Sequence, residues 1–99
     1  MSYLLTPEAE SNLLEIVDYY IAQESLDAAD RVLTAFERAF EHVAAHPGHG
    51  HFRDNLLDHR HRFWTVFSYQ IVYRWEQSPV QIIAIVHGAR DLPSYFSVR

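Results

Sequence analysis

The stretch from Val80 to Leu92, Val-Gln-Ile-Ile-Ala-Ile-Val-His-Gly-Ala-Arg-Asp-Leu, limits what this chain can fold into more than any other. Val80, Ile82, Ile83, Ile85 and Val86 form a β-branched apolar run of strand length with almost no polar interruption, the pattern of an inner strand buried on both faces. Gly88 punctuates the run. A glycine there permits a positive φ or a close backbone approach, so His87, Arg90 and Asp91 are expected together at the sheet's end.

The residues before this strand supply what should pack on it. Tyr3, Leu4 and Leu5 are a short strand candidate, and Thr6-Pro7-Glu8 gives a cap, a proline at the first helical position and a first-turn acid. Ala9, Leu13, Ile16, Val17 and Tyr20 then recur at helical spacing, so a helix is expected from Thr6 to about Glu24. Ser25 caps a second, running to about Ala45, with Ala29, Val32, Leu33, Phe36, Phe40 and Val43 in one stripe before His46-Pro47-Gly48 stops it. Residues 47 to 61 are loop-like. Phe63 to Phe67 and Tyr69 to Trp75 are aromatic and β-branched runs parted by Ser68, which predicts a hairpin, and Glu76-Gln77-Ser78-Pro79 turns into the opening strand. The order strand, two-helix antiparallel hairpin, three or more antiparallel strands predicts an α+β domain with the helices on one face of the sheet. Leu33, Phe36, Ile71 and Ile83 are expected in its core.

Ninety-nine residues make one domain, 1–99, with one modest core. Cysteine is absent, which removes disulfides and thiolate metal sites and suits a reducing cytoplasm. The N-terminus lacks the basic and apolar regions of a signal peptide, and no segment is apolar for long enough to span a bilayer, so no membrane partner is expected. Every one of the eight cations is an arginine, and thirteen acids bring the formal net charge to −5. That balance argues against general nucleic-acid binding. The acids crowd into the helical half and six of the arginines into residues 47–99, leaving room for an acidic protein partner on the second half.

Among the side chains that carry chemistry, Arg90 and Asp91 fit a turn-stabilising pair as well as a functional role, and His87 fits a satisfied polar residue as well as a base. The His46, His49 and His51 run, with His59 and His61 near it, sits on a glycine-rich loop without a rigid scaffold; no functional metal and no cofactor is expected. Trp64, Trp75, Tyr95 and Phe96 exceed what so small a core can hold. With Arg60, Arg62, Arg74 and Arg90 they are the candidates for a partner surface, placed on the sheet face that the helices leave open.

Several spaced features carry a family resemblance: Tyr19-Tyr20, Ala28-Ala29, Pro47-x-x-Gly50-x-x-Arg53, Tyr69-x-Ile71-x-Tyr73-Arg74 and His87-Gly88-Ala89-Arg90-Asp91. In order and spacing they resemble the ParE branch of the RelE/ParE toxins, the toxin halves of type II toxin-antitoxin modules of bacteria, also known as plasmid stabilisation systems. Phe67 stands where that family commonly has a glycine in the turn before Ser68-Tyr69. The resemblance implies a sheet whose first strand lies beside the last, with two helices on one face. It further implies a toxin without catalytic residues that contacts DNA gyrase, whose A subunit is the expected target, and a ParD-like antitoxin with a ribbon-helix-helix domain and a disordered tail. RelE-like relatives instead cut messenger RNA on the ribosome. Under that alternative Arg90, Tyr95 and His87 would be the catalytic group, with Arg60, Arg62 and Arg74 on phosphates. A degenerate member that binds an antitoxin without toxicity is a third reading.

Overall fold

The computed structural model describes residues 2–53 and 57–88. Its elements are β1 (Tyr3–Leu5), α1 (Pro7–Gln23), α2 (Leu26–Ala45), a 3-10 turn (Pro47–His49), β2 (His61–Val66), β3 (Tyr69–Arg74) and β4 (Val80–His87). Both helices begin where local chemistry dictates. The extended Thr6 accepts the Ala9 N–H on its hydroxyl at 3.1 Å, with Pro7 filling the position whose N–H would have no helical partner. Ser25 accepts the Ala28 N–H at 3.0 Å and starts α2 almost as soon as α1 ends.

The sheet runs β1-β4-β3-β2, with β1 parallel to β4 and the other two pairings antiparallel. The apolar run is thus an inner strand, as its composition requires. Ile16 and Ala9 of α1 and Val32, Phe36, Phe40 and Val43 of α2 bury one sheet face against Tyr69, Ile71, Tyr73, Val80, Ile82 and Ile85. This is the main core. A second, smaller cluster of Phe63, Val72, Ala84 and Val86 lies on the opposite face, with Leu57 and Ile83 beside it.

Ile82 to Ala84 holds an irregularity that periodicity alone does not show. Val72 pairs with Ala84 but Tyr73 pairs with Ile82, so Ile83 is an extra residue, a β-bulge. Its carbonyl accepts the Thr6 hydroxyl proton at 2.7 Å, and the Ile85 N–H donates to Asn12 Oδ1 at 3.0 Å. Side chains of the first helix therefore take over the edge of β4 where β1 ends, as buried backbone groups demand.

Three expectations are corrected. Ile83 is half-buried, because the bulge turns it out of the main core. Leu33 is half-buried too, because α2 aims Val32, Phe36 and Phe40 at the sheet and leaves Leu33 on the margin of that stripe. The tryptophans do not lie on the open face: Trp64 and Trp75 both pack against the main core on the helix side, since Trp64 pairs with Ile71 and shares its face.

Candidate functional site

One hydroxyl ties the start of the Pro47-to-Arg53 segment to β3. Tyr73 Oη accepts the Gly50 N–H at 3.0 Å and donates to the Pro47 carbonyl at 2.7 Å. A side chain at position 50 would run into Tyr73 Oη and the Phe63 carbonyl, so the glycine is there for close approach, not for an unusual φ. Burial pushes the Tyr73 hydroxyl pKa up, opposed by the Gly50 hydrogen bond and the charge of Arg62. Arg62 completes the clamp. Its Nη1 donates to the Gly50 carbonyl at 2.8 Å, and its guanidinium lies between the rings of Phe52 and Trp75, 4.0 and 4.1 Å from their centroids. Cation–π contacts of this kind are worth about 0.5–2 kcal/mol each. Trp75 Nε1 in turn donates to the His59 carbonyl at 2.8 Å, fixing the chain on the far side of the loop.

The expected surface residues are therefore divided among several places. Arg62 and Trp75 belong to the clamp. Arg60 lies in the turn before β2, its Nη2 2.6 Å from Asp58 Oδ2. That bond, with a second from His61, holds the Asp58 carboxyl well below the usual carboxylate range. Trp64 stacks on His42 of α2 at 4.7 Å. Arg74 is on the opposite face, paired with His61 of β2, and its buried Nε, like that of Arg62, has no hydrogen-bond partner among the described residues. His87 packs edge-on against Tyr69 at 5.5 Å. Arg90, Tyr95 and Phe96 lie outside the described residues.

The histidines sort differently from their order in the chain. His46 and His49 stack at 4.6 Å and are joined by His42, whose Nε2 is 3.1 Å from His49 Nδ1. His51 instead bridges Phe63 of β2 through two backbone hydrogen bonds. Among the described residues no three histidine or carboxylate side chains are arranged to hold a metal ion. His42 escaped the sequence reading because it sits on the helix; its spacing of four from His46 was the available signal.

At the other end of the molecule, the β2–β3 hairpin turns through Phe67 and Ser68 alone, since Val66 pairs with Tyr69. Phe67 has φ 56°, the one positive φ among the described residues, and the residue is 61% exposed. It flanks a groove of about 350 Å³ lined by Tyr20, Glu24, Ala28, Arg31 and Val32. At the tip of β4, Gly88 donates its N–H to the Ser68 carbonyl at 2.8 Å, and an added Cβ would stand 3.2 Å from that oxygen. Close approach, not a positive φ, is again what the glycine serves.

A helical hairpin laid across a mixed sheet whose first strand pairs with its last defines a small α+β domain of the RelE/ParE type. Residues 3–92 match the family described as ParE toxin of type II toxin-antitoxin system, parDE, and the chain belongs to that family. Among solved structures it is similar to the chromosomal ParDE TA system from P. aeruginosa, at 20% identity and TM-score 0.73, over 88% of this chain and 95% of that one. No curated protein matches.

Proposed function

We propose that this type II toxin acts by protein contact, inhibiting DNA gyrase in the cytoplasm through its A subunit, and that a ParD-like antitoxin neutralises it. Membership of the ParE family across residues 3–92 is the observation that carries this reading. The arrangement of the cations supports it. A ribonuclease would need Arg60 and Arg62 on phosphate, but Arg60 is engaged by Asp58 and Arg62 is held between two aromatic rings with a hydrogen bond to Gly50. Arg74 lies on the sheet face away from the helices and makes no ion pair among the described residues, which fits an acidic antitoxin tail folding onto the second half of the chain. Such a tail would bury roughly 2,000 Å² in total.

Two assays run side by side test the target. The purified toxin is expected to inhibit supercoiling and to accumulate cleaved DNA-gyrase complexes, while primer extension on translated messenger shows no new ends. Contact with a protein target needs shape and a few anchors, with no general acid or base. Codon-positioned cuts with normal supercoiling would establish the ribonuclease instead, and Arg90→Ala should then lower cleavage by orders of magnitude without unfolding. Inactivity in both assays would leave the degenerate, antitoxin-binding reading.

A further inference from the structure

Phe67 carries two costs at once. A bulky side chain is held in the left-handed region, at the first central position of a two-residue hairpin where glycine or asparagine is favoured. The same residue is left mostly in water. Strain of this kind persists where surrounding structure imposes it, and its usual place is a functional surface. Beside the ring the groove offers Tyr20, Ala28 and Val32 as apolar lining, and its volume is within the roughly 300–1,000 Å³ of clefts that accept anchoring groups.

We infer that the Phe67 tip and this groove form a docking surface for a basic amphipathic helix of a partner protein. The charge of the α1–α2 junction selects that occupant. From Asp18 to Arg31 the exposed acids are Asp18, Glu24, Asp27 and Asp30, against the single cation Arg31, and none of the four makes an ion pair among the described residues. Glu24 and Arg31 line the groove itself, and the other three acids leave the junction net negative. A second copy would set acid against acid, and an acidic antitoxin tail would be repelled; a helix with a leucine-like face and lysine or arginine flanks meets both the groove and the net charge of the junction. The inference rests on the reading that the toxin works by protein contact. It adds a place and a chemistry for that contact, apart from the arginine-bearing half proposed for the antitoxin.

Two synthetic helices with the same leucine face, one flanked by lysines and one by glutamates, are titrated against the full chain by fluorescence polarisation. The lysine helix is expected to bind at least about tenfold tighter, and amide shifts should move around Glu24, Ala28 and Phe67. Phe67→Gly, which accepts the backbone without strain, should weaken binding about tenfold or more with a thermal midpoint no lower than the parent's. Phe67→Asn, the other residue tolerant of this conformation, should give the same loss. Equal affinity for the two helices, or full affinity in both folded Phe67 variants, overturns the proposal. A parent toxin that leaves gyrase untouched counts against the target alone, because the peptide titration decides the surface independently.

Discussion

Tyr73 joins the core to the loop that follows α2, and its hydroxyl can be tested in isolation. Tyr73→Phe keeps the ring but leaves the buried Gly50 N–H without its acceptor and the Pro47 carbonyl without its donor. The expected loss is about 1–3 kcal/mol in a urea titration. Gly50→Ala should cost more, since its new carbon collides with the same hydroxyl and with the Phe63 backbone. The hydroxyl also sets a pH limit. Its pKa is raised in the fold above the ordinary 10.0, so the fold favours the neutral form. That contribution is complete below about pH 10 and disappears as pH climbs through the raised native value. Denaturation midpoints measured at increasing alkalinity should fall less steeply in Tyr73→Phe. A remainder is expected there, because Tyr3 is also raised, by burial and then by Glu37 and Glu41.

At the scale of elements, the helix boundaries were legible because caps are local: Thr6 and Ser25 announce α1 and α2 from within a few residues. Runs of β-branched and aromatic residues likewise revealed β3 and β4. The bulge was not legible, because it exists only in the pairing of Val72 and Tyr73 with Ala84 and Ile82, which no single strand contains. The facing of Trp64 and Trp75 was missed for a related reason: the registry of β2 on β3 decides it, and aromatic content cannot. The expected partner residues accordingly fell into separate places, while Phe67, read in the sequence as the end of a strand run and as a missing glycine, became the exposed tip of the turn after Val66. The bulge gives the element-scale prediction. Thr6→Ala removes both a helix cap and the donor to the Ile83 carbonyl, and should cost about 1–2 kcal/mol by chemical denaturation. Thr6→Ser, which keeps both bonds, should restore most of it. Phe36→Ala, at the centre of the helix stripe and fully buried, should cost roughly 3–5 kcal/mol.

At the scale of the molecule, the first of the described strands pairs with the last of them, Tyr3 with Val80 and Leu5 with Ile82. Pairings so distant in sequence are slow to close, because loop entropy is lost before any contact is gained. Pulsed hydrogen exchange during refolding should therefore protect amides of the β2–β3 hairpin before the Thr6 N–H, which bonds to the Ile82 carbonyl at 3.0 Å. Simultaneous protection would mean the sheet closes in one step. The same arrangement bears on how a cell makes such a protein. While the nascent chain is still short of Val80, α1 lacks the strand it lies on, the Thr6 and Asn12 side chains have no backbone to bind, and the β2–β3 hairpin lacks the neighbour that joins it to β1. A translation product cut off before that strand lacks the partner of both β1 and β3, so the described sheet can come into being only once residues 80–87 have been added.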